Sequence, residues 1–398
     1  MSPLPISPQL IPILFHWGIT LFCLFLCLQY SSSSNCDNLL RKNPATGGII
    51  IGIFLIIFIG LRPISAIFGD TAVYAIGYNR MVPIYATIDW HQEWLFNVIS
   101  VWCRSQGFHV SAFFLIIETG YIGLMLWAYK RALPENFWMA SLFALSAFSF
   151  FSYGVNGMRN GLACSMVTLA IVFAAKDKNY IVAGVLCFLA MGIHKSTLLP
   201  TAAMIAAIFL IKKPKMALFF WLASIPASLV AGGPISNFFM GLGFDDRATA
   251  YMSGENMQYG DFSSTGFRWD FLLYSAMPVW MIWHVQKTID KKRTEMGGFC
   301  AEEDESGVVG AGIVADKDSM RVFNVLSTIY LLTNAFWVIV IKAAFSNRFA
   351  YLSWFIYPLV LAYAVIRLHI WEDQDSKAGW ILFAHAAFTL FMYLIGKM

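Results

Sequence analysis

Charge is scarce in this sequence. Asp, Glu, Lys and Arg together make up 13% of its 398 residues, where soluble domains carry about 25%. With 59% hydrophobic residues and a mean hydropathy of +0.65, the chain holds more apolar surface than a water-soluble fold can bury. No Gly-rich phosphate loop, zinc-ligand spacing or nucleophile elbow occurs, which leaves no P-loop, zinc-hydrolase or α/β-hydrolase reading. The net charge of +4 is scattered through loops, so there is no footprint for nucleic acid. Seven cysteines form neither a disulfide framework nor a metal cluster, and most lie in apolar runs as small hydrophobes. No Lys or Arg precedes Arg41, so the first apolar run lacks the basic flank of a cleaved signal peptide and reads as a retained span.

Long apolar runs are abundant instead. A helix needs about 20 such residues to cross hydrocarbon. Runs of that order lie at roughly 9–29, 47–67, 108–129, 136–153, 157–175, 179–194, 196–211, 215–233, 269–287, 321–342, 348–367 and 378–396. Backbone polar groups in lipid must pair internally, and alternating strands of about ten residues do not occur. The expectation is an all-α, polytopic integral membrane protein of about twelve transmembrane helices, forming one membrane domain over residues 1–398.

Orientation follows from the basic residues of the short connections. Arg41/Lys42, Lys130/Arg131, Lys176/Lys178, Lys212/Lys213/Lys215 and Lys287/Lys291/Lys292/Arg293 fall on one side when the spans are threaded in order. That side is expected to be the cytoplasm, with both termini outside. A Gly-rich and acidic stretch at about 288–319 reads as a flexible cytoplasmic loop. Two outward loops, about 68–107 and 234–268, mix Trp, Tyr and charge and read as structured; within the first, Glu93 to Arg104 has the spacing of an interfacial, re-entrant or surface helix.

On this topology the charged residues outside the cytoplasm gather at the outer ends of spans, and the basic ones are mostly Arg. Ionisable groups near hydrocarbon are costly and are usually kept for function, and Arg pairs bidentately with phosphate. An anionic ligand on the outer side is the inference. Arg159 stands just inside the start of a span, after Asn156 as a candidate cap and between Gly157 and Gly161. A helix N-terminus and an Arg together suit an anion, while the plainer reading is an Arg that snorkels beside a packing motif. His194 ends a span at the same level and could act as a base, partner a phosphate, or only bond a loop. Arg348 opens a later span as Arg159 does, and Asp70 follows a span ahead of Tyr74; for both, an ordinary loop ion pair is the alternative. Asp245, Arg247 and Arg268, near Tyr251 and Tyr259, could bind sugar hydroxyls or form a solvated loop.

Four short pieces in order carry a resemblance: Arg62-Pro63 with Gly69-Asp70-Thr71 and Tyr74; Gly157-Met-Arg159-Asn-Gly-Leu-Ala163; Leu189-Ala with His194 and Ser196; and Arg348 with Tyr351. With its topology, the chain resembles the EpsG-like proteins of exopolysaccharide and capsule clusters, which are similar to Wzy-type polysaccharide polymerases. Asn160 stands where Gln is more usual. The resemblance implies a GT-C-like, metal-independent glycosyltransferase without a cofactor, in the bacterial inner membrane with its active face outside. Its substrate would be an undecaprenyl-diphosphate-linked oligosaccharide in O-antigen, capsule or exopolysaccharide synthesis, and a chain-length regulator and flippase would be partners. Arg159 and Arg348 would hold the diphosphate, His194 or Asp70 would take the acceptor proton, and Tyr74, Asp245, Arg247 and Arg268 would contact sugar. The competing readings are a flippase or other transporter, which predicts internal repeats and mid-bilayer charge, and a polysaccharide ligase or O-acetyltransferase.

Overall fold

The computed structural model describes residues 3–31, 45–210, 213–241, 266–295, 308–310, 313–342, 347–368 and 370–396. The all-α class holds, with one two-stranded sheet of Val308–Gly310 and Ile313–Ala315 beside the helices. Among the described residues, six helices are long and apolar enough to cross a membrane, or seven if one bent pair is a single span. Four further apolar helices, among them Thr46–Gly60 and Tyr180–Ile193, are shorter than that length. The sequence itself shortens them. Pro63 disfavours helix at Arg62 and α2 (Thr46–Gly60) stops ahead of it, while Pro214 opens a new helix after Leu198–Leu210. Of the loop expected at about 288–319, residues 296–307 and 311–312 lie outside the described residues; one helix runs to Glu295, the strand pair follows, and the next helix starts at Lys317.

The chain divides into two compact units. The first covers Met1–Leu198, Val309–Ala315 and Val365–Met398. Its helices are α1 (Leu10–Ser31), α2, α3 (Thr71–Arg80), α4 (Trp94–Ser105), α5 (Val110–Ala132), α6 (Phe137–Leu145), α7 (Phe148–Val155), α8 (Met158–Ala175), α9 (Tyr180–Ile193) and Gln374–Leu394. At its centre α8 packs on both α5 and α9 and is buried at nearly every position, as a helix apolar all round must be. Its 18 residues make it about 27 Å long, close to a hydrocarbon thickness of about 30 Å. Beyond its far end the Arg131 guanidinium pairs with Asp177 at 2.5 Å, and Lys176 Nζ donates to the Arg131 carbonyl at 2.6 Å. Two of the basic loops expected on one side are thus in contact.

The expected span at about 136–153 is two helices, α6 and α7, meeting at 67°. The backbone of such a break must find partners elsewhere. Here the Thr389 hydroxyl donates to the Ser146 carbonyl at 2.9 Å, and Ser146 Oγ shares a 3.0 Å hydrogen bond with His385 Nδ1. Charge is also not confined to span ends. Glu118 lies mid-way along α5 and is wholly buried, which removes one of the sequence arguments against a transporter.

The second unit, Leu199–Val308 with Asp316–Ala364, is held by a buried polar network. Asn334 accepts from Trp221 Nε1 at 2.7 Å and donates to Ser275 Oγ at 3.1 Å and Ser353 Oγ at 2.8 Å, and Trp354 Nε1 donates to the same Ser275 at 2.8 Å. Each of these groups would be costly in an apolar interior without its partner.

Candidate functional site

Arg62 organises the approach to the site. Its guanidinium is wholly buried and donates to the Ile59 carbonyl at 2.8 Å and to Thr71 Oγ1 at 3.0 Å, while Nη1 pairs with Glu118 at 3.5 Å. The Thr71 hydroxyl in turn donates to the Val155 carbonyl. The start of α3 is thereby tied to the end of α7. Between Arg62 and Thr71 the chain turns at Gly69, whose φ of +61° suits glycine and whose missing Cβ leaves room for the Asn156 side chain. Asn156 Oδ1 accepts from the Asp70 N–H at 2.9 Å. Arg62, Gly69 and Thr71 therefore form a clasp, and the residue that it delivers is Tyr74, one turn into α3.

This assigns Asn156 differently from the sequence reading. The residue at the head of α8 is Gly157, without a side-chain cap, and Asn156 closes α7 and binds the Asp70 backbone. Gly157 and Gly161 both face Tyr153, where a Cβ would stand 2.6 Å from the ring and 3.0 Å from the carbonyl respectively. They serve close packing of α7 on α8. Asn160 links the same helix to the segment after α9, donating to the Tyr153 hydroxyl at 2.9 Å and accepting from Ser196 Oγ at 3.5 Å.

Arg159, in the first turn of α8, is enclosed by α3 and by α4 with the residue before it. Its Nε donates to the Tyr74 hydroxyl at 3.0 Å, and its guanidinium lies 5.4 Å from the Tyr74 ring centre and 5.6 Å from that of Phe96 on α4. Its Nη1 is paired with Glu93. The other Glu93 oxygen stands 3.7 Å from His194 Nε2. His194 ends α9, and its Nδ1 accepts from the Ser196 N–H at 3.3 Å. The closeness of α4 and α9 depends on Gly192, where a Cβ would meet the Trp94 ring at 2.7 Å. All four polar side chains belong to the first unit, and Arg159, Glu93 and His194 remain 18–25% exposed.

Burial pushes the Tyr74 phenol above its ordinary range, against the opposing pull of the Arg159 charge. It stays a neutral hydroxyl at physiological pH. A half-buried guanidinium with a neutral hydroxyl, two aromatic faces and a carboxylate shared with an imidazole can bind an anion and handle a proton.

Of the residues expected at the site, the structure brings together Arg159, His194 and Tyr74. Asp70 is exposed beside this cluster, at the head of α3. Arg268 and Arg348 belong to the second unit. Arg268 grips Asp270 with two hydrogen bonds of 3.0 and 2.7 Å and lies over the Phe271 ring, and Arg348 is exposed in the first turn of Asn347–Trp354. Asp245 and Arg247 lie outside the described residues. Among the described residues no group of three or more His, Cys, Asp or Glu could hold a metal ion.

Glu93 is the member that sequence reasoning missed. It was legible only as the acid at the head of an amphipathic stretch. No curated protein and no solved structure matches this chain. A profile of the EpsG family does match, over residues 48–397, and the chain belongs to that family, among membrane proteins of exopolysaccharide synthesis.

Proposed function

We propose that this protein is a polysaccharide polymerase that joins undecaprenyl-diphosphate-linked oligosaccharide repeat units at the outer face of the bacterial inner membrane. The observation that carries the reading is Arg159 at the head of α8, bonded to Tyr74 and sharing Glu93 with His194. The polymer would leave its lipid diphosphate and pass as one block to a hydroxyl at the non-reducing end of the next unit. Charge grows on the departing diphosphate, and a fixed guanidinium at a helix N-terminus stabilises charge there. In this reading the fold is GT-C-like with about twelve spans, the four short apolar helices serving as partial crossings or thinning the bilayer around them. From the resemblance come Arg348 as a second diphosphate ligand and Asp70 as an alternative taker of the acceptor proton, and from the composition of their loop Asp245, Arg247 and Arg268 toward sugar. A chain-length regulator and a flippase are proposed as partners in capsule, O-antigen or exopolysaccharide assembly.

A lipid-linked oligosaccharide flippase is the second reading, favoured by the buried Arg62–Glu118 pair, since charge within a span often marks a transport path. Surface glycan from a deletion strain carrying Arg159→Ala, His194→Ala or Arg348→Ala separates the two. The polymerase reading expects single repeat units outside and no long chains, with the protein still in the membrane. Chains of normal length in all three variants refute it, and repeat units trapped on the cytoplasmic leaflet indicate the flippase.

A further inference from the structure

Glu93 occupies the residue before α4, a position where a short side chain such as Asp, Asn or Ser ordinarily accepts from the free N–H groups of its own helix. Its carboxylate makes no such cap. It is turned instead toward the site, with one oxygen on Arg159 and the other facing His194 Nε2 at 3.7 Å. The imidazole is oriented from its other edge, because Nδ1 accepts from the Ser196 N–H at 3.3 Å. The Ser196 N–H can only donate to Nδ1, and the Ser196 hydroxyl, 2.9 Å from the same atom, can donate as well, so the neutral ring that fits both carries its proton on Nε2, toward Glu93. His194 thus offers this carboxylate a donor, and its own lone pair is engaged by Ser196, main chain and hydroxyl together.

We propose that Glu93 takes the proton of the acceptor hydroxyl, and that Arg159 holds it until the diphosphate of the donor lipid takes its place. The inference rests on the polymerase reading above. A diphosphate carries more charge than a carboxylate and matches the guanidinium fork, so the two anions compete for one cation. The loser keeps its contact with His194. A carboxylate released from a cation is a better proton acceptor, so the base would become active only when a donor is bound.

The transfer balances on this chain's own groups. The acceptor O–H bond breaks and its proton passes to Glu93. The oxygen electron pair forms the new bond to the anomeric carbon. The bond from that carbon to the diphosphate oxygen breaks, its electron pair leaves with the diphosphate, and Arg159 neutralises the charge. Glu93 then gives the proton to water and pairs again with Arg159.

The test uses the full-length protein in nanodiscs, with Glu93→Gln, undecaprenyl diphosphate as the binding probe, and lipid-linked repeat units extracted from the deletion strain as substrate. Glu93→Gln is expected to bind undecaprenyl diphosphate about tenfold more tightly, since a competing like charge is gone. It should polymerise roughly a hundredfold or more slowly, the usual cost of losing a general base. Tighter binding also shows that the variant is folded. Glu93→Asp, which restores the carboxylate, should recover part of the rate. Polymerisation by Glu93→Gln within about threefold of wild type overturns the base role while leaving the polymerase reading intact. Weaker probe binding overturns the competition. Wild-type protein that neither binds the probe nor elongates the units refutes the polymerase reading, and this inference with it.

Discussion

Arg62 Nη1 lies 3.5 Å from Glu118 Oε1 with both side chains wholly shielded from solvent, so the clasp that positions Tyr74 is anchored on a buried charge pair. Removing one partner of such a pair leaves the other charge uncompensated, which typically costs about 3–5 kcal/mol. Arg62→Ala also deletes the donors to Ile59 and Thr71. It should therefore lower the melting temperature in detergent more than Glu118→Gln, which keeps a polar group at the same place. Equal loss in both variants would mean that the charge, and not the clasp, dominates.

Gly192 sets the spacing between α4 and α9. A methyl group there would stand 2.7 Å from the Trp94 ring, and overpacking of this kind costs about 1–3 kcal/mol. Gly192→Ala should cut polymer length by moving Glu93 away from His194. Trp94→Leu, which vacates the contested space, should partly rescue it. A double-mutant cycle on thermal stability measures the coupling, and simple additivity would show that the two positions do not meet.

Tyr74→Phe keeps the ring over Arg159 and removes the hydroxyl that Arg159 Nε reaches at 3.0 Å. A hydrogen bond to a charged group contributes about 1.5–3 kcal/mol, so donor affinity measured with undecaprenyl diphosphate should fall by about tenfold or more. Unchanged affinity would place Arg159 elsewhere during binding.

The same phenol predicts a pH dependence. Its folded-state pKa is raised, while the unfolded chain ionises near its ordinary value of about 10. Below that value both states hold the proton and the shift has no effect. As pH rises past it, the unfolded state ionises first and stability falls through the raised folded value. Wild-type protein should lose melting temperature above about pH 10 more steeply than Tyr74→Phe. Parallel curves would contradict the burial of this hydroxyl.

Thr389→Val removes the hydroxyl that satisfies the Ser146 carbonyl at the α6–α7 break. An orphaned buried carbonyl costs about 1–3 kcal/mol. The expected readout is a lower melting temperature with the site residues untouched, so that activity per folded molecule stays at the wild-type level.

Much of this was legible in the sequence, and the part that was not has physical reasons. Arg159 and His194 could be found because a charged residue at the edge of an apolar run is conspicuous on its own. Glu93 could not, since it becomes a site residue only through the approach of α4 to α9, which rests on a glycine 99 positions away, Gly192, that resembles any other in an apolar run. Asn156 looked like a cap because it precedes a helix. The tight turn at Gly69 diverts its side chain to the Asp70 backbone. The helical class followed directly from the apolar runs. The length of individual helices did not, because Pro63 and the 67° break after Leu145 interrupt stretches whose hydropathy is continuous, whereas the boundary at His194 was already visible.

The break between α6 and α7 also sets an order of events in biosynthesis. Its carbonyl and its serine hydroxyl are satisfied by Thr389 and His385, and α1 is joined to the same late helix where Thr20 donates to the Ala386 carbonyl at 3.3 Å across 366 residues of sequence. Synthesis must pass residues 385–389 before either contact can form. Until then the early helices stand in the bilayer with a kinked pair whose polar groups await a partner. Release of the nascent chain ahead of Gln374–Leu394 would therefore leave a folding intermediate for quality-control proteolysis, even though every residue of the Arg159 cluster had already been made.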